Sequence, residues 1–165
     1  MIDGLTSLRI REAEPEDAQA IAALAGELGF VVGPDQVADG LAALRRAGAP
    51  PLLCVSADWI IGCATWHVTP VLHRPAPVGR ITMLVVQERW RGRGAGRRLV
   101  EAVQARVGSL GCGLLEVTSN LKLERAHRFY ELLGFERTSL RFAKPLIGAA
   151  VADRQTGEGA RGQAL

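Results

Sequence analysis

Ile81-Thr82-Met83-Leu84-Val85-Val86-Gln87-Glu88-Arg89-Trp90-Arg91-Gly92-Arg93-Gly94-Ala95-Gly96-Arg97-Arg98-Leu99-Val100-Glu101-Ala102-Val103 carries the reading of the fold. Ile81 to Val86 is apolar enough for a buried strand, while Leu99, Val100, Val103, Val107 and Leu110 recur at helical spacing. Between strand and helix lies the turn Arg91-Gly92-Arg93-Gly94-Ala95-Gly96. Missing side chains let backbone N–H groups approach an anion, which also feels the positive end of the helix that follows. The pattern predicts a site for a phosphorylated cofactor. It is not a Walker loop, because no Gly-Lys-Ser/Thr follows, and arginine between the glycines departs from the dinucleotide Gly-x-Gly-x-x-Gly. Nucleotide hydrolysis and hydride transfer lose ground accordingly.

Outward from this stretch, the chain of 165 residues is within the range of one compact domain. We expect that domain over residues 1–148 and a flexible tail over 149–165, which is rich in Gly, Ala and polar residues without periodicity. No apolar stretch is long enough to cross a bilayer, and the N-terminus lacks a basic region followed by a hydrophobic one. A cytoplasmic protein is expected. Cys54, Cys63 and Cys112 are far apart, odd in number and without metal-ligand spacing, so they read as reduced core residues and no metal is expected. The net charge of +3 is modest, with arginines gathered at the turn and in a later helix. That distribution suits a small anionic cofactor better than nucleic acid.

Leu8 to Arg11 reads as a first strand, followed by a helix that Pro15 opens and Gly29 closes, with Ala18, Ile21, Ala22, Ala25 and Leu28 as its apolar stripe. Pro34 to Ala47 reads as a second helix carrying Val37, Leu41 and Leu44 on one face. Pro51 to Ala57 and Trp59 to His67 read as an antiparallel pair joined near Asp58. Thr69 to Pro77, with three prolines and His73, is expected to be a loop, and Leu114 to Thr118 a short strand.

Arg91, Gly94 and Gly96 stand at the three signature positions of Arg/Gln-x-x-Gly-x-Gly/Ala, and the segment resembles motif A of the GNAT superfamily of N-acetyltransferases. Ser119-Asn120 followed by Glu124-Arg125-Ala126-His127-Arg128-Phe129-Tyr130-Glu131-Leu132-Leu133-Gly134-Phe135 resembles that family's motif B. Arg141 to Leu146 is similar to the end of small-amine acetyltransferases such as the aminoalkylphosphonate N-acetyltransferases. The resemblance spans roughly Leu8 to Leu146. It implies an α/β fold with a mixed, mostly antiparallel sheet flanked by helices, in which the cofactor strand and Leu114 to Thr118 run parallel and splay apart. It also implies acetyl-CoA as cosubstrate and a primary amine of a small molecule or peptide as acceptor, attacking directly, with no membrane partner and a homodimer plausible. The implied cofactor residues are Leu84, Val85, Val86, Arg91, Gly92, Arg93, Gly94, Ala95, Gly96, Arg97, Asn120, Ala126 and Phe129.

The family's motif B tyrosine falls on Tyr130, which the resemblance casts as the general acid for the departing thiolate. Read by spacing alone, Ala126, Phe129, Tyr130 and Leu133 share a helical face and Tyr130 is a core residue. Asn120 is either a cofactor ligand or a turn former, and Arg97, Arg98, Arg125 and Arg128 either bind phosphate or solvate helix faces. Related enzymes often carry a carboxylate on the cofactor strand, where this chain has Thr82 and Met83. A water relay, His67, His73 or Glu27 is left as the route for the acceptor's proton. That gap also admits an alternative, a non-catalytic acyl-CoA-binding or regulatory protein.

Overall fold

The computed structural model describes residues 7–144 and 146. Strands β1 (Leu8–Glu12), β2 (Leu52–Ser56), β3 (Trp59–Thr69), β4 (Val78–Val86) and β5 (Leu114–Val117) form one sheet in the order β1-β2-β3-β4-β5. Neighbours are antiparallel as far as β4, and β4 with β5 is parallel. The expected mixed, mostly antiparallel sheet is therefore present.

Helices cover both faces because the central strands are apolar on both sides. On one face Ile61, Ala64, Trp66, Ile81, Leu84 and Val86 pack against Leu99, Val100, Val103 and Val107 of α3 (Ala95–Ser109), and against Ala126 and Tyr130 of α4 (Glu124–Leu132). On the other, Leu53, Val55, Cys63 and Val85 meet Ile21, Leu24 and Leu28 at α1 (Ala18–Glu27) and Leu41 of α2 (Pro34–Arg46). Gly62 permits the tight layer at the centre: a Cβ there would stand 2.9 Å from the Val85 carbonyl oxygen and 3.1 Å from Leu99 Cδ1.

The feature that shapes the site is where β4 and β5 part. Their pairing runs from Val78↔Leu114 to Ile81↔Val117, and Thr82 to Val86 continue without a strand on that side. Across the sheet Thr65 faces Met83 and Trp66 faces Ile81, so Thr82 is an extra residue, a β-bulge. A bulge bends its strand and increases local twist, and this one falls where β5 leaves. The parallel pairing expected from the resemblance therefore ends at the residue before this bulge.

Boundaries differ from the sequence reading in ways that have physical causes. The segment after Pro15 is a 3-10 turn, Pro15–Asp17, before α1 begins, and Leu24 rather than the half-buried Ala22 completes the buried stripe. β4 begins at Val78, before the uniformly apolar run, because it pairs on both sides there. Thr69 ends β3 instead of opening the loop, β5 stops at Val117, and Leu110 is 51% exposed at the C-cap of α3 rather than in its stripe. Cys112 is half-buried, while Cys54 and Cys63 are in the core as expected. The tail over 149–165 lies outside the described residues, as do 147, 148 and Pro145 of the C-terminal resemblance.

The entry to α1 is held by Asp17, whose carboxylate accepts Arg11 Nη1 and Nη2 at 2.6 and 2.8 Å and the Glu14 N–H at 2.8 Å. The hydrogen bond from Arg11 holds this carboxyl below its ordinary range against the opposing effect of burial. Asp17→Asn should lower stability by about 2 kcal/mol at neutral pH, the scale of hydrogen bonds to a charged group. Because the folded-state value is lowered, the contribution is present above the ordinary carboxylate pKa of about 4 and is lost as pH falls through the lowered value. Paired thermal melts of wild type and variant should converge in acid.

Candidate active site

A cavity of about 280 Å³ opens beside the unpaired end of β4. Val86, Trp90, Arg91, Gly92, Gly94, Gly96 and Arg97 form one wall, and Phe129, Leu132 and Leu133 of the α4 segment form the other. The turn keeps its shape because Gly92 and Gly94 have φ of 74° and 87°, values that side-chain-bearing residues rarely adopt. A Cβ on Gly94 would meet nothing within 4 Å among the described residues beyond its chain neighbours, so the space above it is open there. Gly94 is the N-cap of α3 and offers no side chain to the first turn. The N–H groups of the first turn have no intrahelical acceptor, and Gly96 and Arg97 of that turn line the cavity. Fifteen residues of helix lie behind them, with the positive end of the macrodipole at the cavity.

Glu27, at the end of α1, anchors this turn. Its Oε2 accepts the Glu88 backbone N–H at 2.9 Å and Arg91 Nη2 at 3.1 Å, and Arg91 Nε donates to the Val86 carbonyl at 3.1 Å. The Arg91 and Glu27 side chains are 18% and 27% exposed. A short 3-10 turn at Glu88–Trp90, which the sequence pattern did not disclose, brings the partners together. Arg91 thus braces the turn, and Glu27, considered earlier as an acceptor-site carboxylate, is engaged in holding it.

Trp90 Nε1 on the cavity wall and Ser119 Oγ just beyond β5 are buried without a hydrogen-bond partner among the described residues. Unpaired buried donors and acceptors are costly and uncommon. The uncapped helix, the open turn and the unpartnered Trp90 N–H fit a polar, anionic ligand at the turn.

With that geometry in view, the comparisons are decisive. The model of the acetyltransferase (GNAT) family matches residues 13–135. The chain belongs to the GNAT family. Among GNAT relatives, the aminoalkylphosphonate N-acetyltransferase of Salmonella typhimurium is 30% identical over 146 residues, covering 87% of this chain and 95% of the relative. The aminoglycoside N(6')-acetyltransferase type 1 of Stenotrophomonas maltophilia is 34% identical over 148 residues, covering 86% and 95%. An acetyltransferase structure from Trypanosoma brucei superposes with a TM-score of 0.74 at 27% identity, over 85% of this chain and all of the other. An aminoglycoside N-acetyltransferase solved with CoA superposes at 0.76 over 89% of this chain and 99% of its own, and at 18% identity it speaks for the fold alone. As a GNAT protein the chain is an acyltransferase.

The GNAT motif residues do not all share one wall. Val86, Arg91, Gly92, Gly94, Gly96, Arg97 and Phe129 line the cavity. Leu84 and Val85 are fully buried on opposite faces of the sheet, leaving only their backbone for a ligand, and Ala95 and Ala126 are packed in the core. Arg93 turns away from the cavity and stacks on Trp90, with Cζ 5.2 Å from the ring centroid. Asn120 Oδ1 accepts the Lys122 N–H at 2.9 Å, the bond of a turn-forming asparagine, while its carbonyl meets His127 Nε2 at 2.9 Å.

Tyr130 is 4% exposed and packs edge-on against Phe129 and Phe135, with ring centroids 5.3 and 5.5 Å away. Burial pushes its phenol well above the ordinary value, so it holds its proton at neutral pH. Trp90, Leu132 and Leu133 line the cavity and were not foreseen as site residues. The spacing of Phe129, Leu132 and Leu133, three and four residues apart on one helix face, is the signal that would have found two of them.

Where related enzymes carry a carboxylate, Thr82 is exposed and its hydroxyl lies 2.7 Å from that of Thr65, and Met83 packs toward α1 and α2. His67 pairs across the strands with Arg80, which is held by Glu116, and His73 is exposed in the loop. Among the described residues no group of three metal-ligating side chains gathers, and no helix is long and apolar enough to cross a membrane.

The anchor yields a prediction. Glu27→Ala should raise the Kd for CoA about tenfold, from loss of one ion pair and one backbone hydrogen bond that shape the turn. Glu27→Gln should recover part of the loss because it still accepts from Glu88. Titration calorimetry of both variants decides this; unchanged binding would remove Glu27 from the site.

Proposed function

We propose that the protein transfers the acetyl group of acetyl-CoA to a primary amine of a small molecule or peptide, by direct attack with both substrates bound. The observation that carries the proposal is the end of β4–β5 pairing at Ile81↔Val117, which opens onto a cavity walled by the turn and the start of α3. The names of the relatives, one acting on aminoalkylphosphonates and one on aminoglycosides, support a small amine as acceptor.

Acetyl-CoA supplies the activated thioester, whose carbon–sulfur bond breaks as the carbon–nitrogen bond forms. Free N–H groups of Gly94 to Arg97 hold the phosphates, and the exposed edge of Leu84 to Val86 pairs with the amides of the arm as a missing strand would. A backbone N–H near Val86 steadies negative charge developing on the thioester oxygen. Tyr130 delivers a proton to the departing sulfur. The Thr65 and Thr82 hydroxyls, paired where β4 leaves β5, hold water that carries away the proton of the amine. Direct transfer is favoured over an acyl-enzyme because the core thiols are poor nucleophiles: burial pushes Cys63 up to about 12 and Cys54 up to about 11.

The test is CoA-thiol release from acetyl-CoA against primary amines, aminophosphonates, aminoglycosides and peptides. Acceptor-dependent release supports the proposal. Acetyl-CoA binding with no release for any acceptor would favour a regulatory acyl-CoA-binding protein, a reading to which the missing strand carboxylate lends weight. Failure to bind acetyl-CoA would sink both.

A further inference from the structure

β5 is the outermost strand of the sheet, pairs with β4 over four residues and does so in parallel, the slightly weaker arrangement per residue. Its attachment differs between the two faces. On the face of α3 and α4, Leu115 and Val117 pack against the core, and Gly79 of β4 lies so close to α3 that a Cβ there would stand 2.8 Å from Val107. On the face of α1 and α2, the core cluster among the described residues contains no β5 residue. What joins the strands there is Arg80, whose Nε and Nη2 donate to Glu116 Oε1 at 2.8 and 2.5 Å. Among the described residues no other side-chain hydrogen bond or ion pair links β4 to β5.

The pair stands one step before the fork. Arg80 is directly opposite Glu116, Ile81↔Val117 is the last pairing, and the free edge begins at the bulged Thr82. The other neighbour of Arg80 in that row is His67 of β3, so Glu116 is the carboxylate its guanidinium meets. At the opposite end the Gly113 N–H donates to the Pro77 carbonyl at 3.0 Å, so backbone fixes where the parallel pair starts and this side-chain contact holds it where it ends. The two side chains are 46% and 38% exposed, and such a pair adds little to the stability of a whole domain. Its effect is local, because a short edge strand opens far more readily than the domain unfolds.

We infer that the Arg80–Glu116 pair fixes where β4 and β5 part and thereby restricts the donor to a short acyl group, a role that rests on the acetyl-CoA reading. With the phosphates at the turn and the arm along Leu84 to Val86, the acyl end of the cofactor is directed toward the fork. The last pairing is then the floor of the slot. Opening one more residue pair would lengthen the slot by about 3.3 Å, the rise of one residue, and make room for a longer chain. Held shut, the floor resists added methylenes as a filled core does. Neither Arg80 nor Glu116 lines the cavity, so both act through the backbone as positioning residues.

Titration calorimetry with CoA, acetyl-CoA and butyryl-CoA tests this on wild type, Arg80→Glu, Glu116→Arg and the double exchange carrying both. Wild type should bind acetyl-CoA about tenfold more tightly than butyryl-CoA, the scale on which a pocket discriminates methylenes. Each single variant sets like charges directly opposite and should reduce that preference to about threefold or less, while free CoA, which has no acyl group, binds as to wild type. The double exchange restores the attraction and should restore the preference. Thermal melts confirm folding of each variant. Four results would overturn the inference and leave the acetyltransferase reading standing: a wild type that does not discriminate, single variants that keep the full preference, equal weakening of all three ligands, or a double exchange that recovers nothing. If wild type binds no CoA species, both fall together.

Discussion

Gly94→Val is expected to weaken acetyl-CoA binding by about 100-fold or more while the domain still folds. Two effects act together. Gly94 has φ of 87°, where a β-branched residue carries about 1–3 kcal/mol of strain, so the turn will shift to relieve it. The valine Cβ would also enter space that is open within 4 Å among the described residues, the approach by which an anion reaches the N–H groups of α3. The strain and the lost phosphate contacts each amount to about a factor of ten or more. Calorimetric titration with acetyl-CoA, beside a thermal melt, separates the two: a variant that folds and binds as wild type would show that the turn is only a connection.

Tyr130→Phe is expected to lower kcat by about 100-fold, at the low end of general acid catalysis because a thiolate is already a fair leaving group. The cofactor Kd should change little, since Tyr130 lies behind Phe129 rather than on the cavity wall. Its burial has two consequences that work in opposite directions. A phenol pushed above its ordinary value keeps its proton and is available as a donor, but it must reach the sulfur from within the core. The split between kcat and Kd is therefore the readout that matters. An undiminished kcat would return Tyr130 to the role of a core aromatic packed between Phe129 and Phe135.

Much of the fold could be read from the chain because its signals are local. An apolar run flanked by glycines and followed by helical spacing identifies β4, the turn and α3 without reference to anything distant. The same holds for Phe129, whose place on the helix brings it to the cavity. Contacts between residues far apart were hidden. Nothing near Glu27 in sequence announces that its carboxylate meets Glu88 and Arg91, more than sixty residues later. Arg91 stands at the first position of the motif, yet its guanidinium is committed to Glu27 and the Val86 carbonyl. Asn120, open to two readings in sequence, shows its side-chain oxygen engaged in a turn.

By itself, the sequence determined the family, the order of strands and helices, and the glycine turn, because backbone conformation and hydrophobic period are properties of neighbouring residues. Only the tertiary structure decided which of those residues meet. The Thr82 bulge is visible solely in the pairing of β4 with β3, and the gap beside it appears only where β5 departs. Likewise Trp59 and Trp90 become one groove through an antiparallel hairpin, since side chains 31 positions apart in numbering have no sequence signal of their proximity. The turn was legible because its conformation is local; its bracing, its depth and its neighbouring groove were not, because each depends on where the sheet places distant side chains.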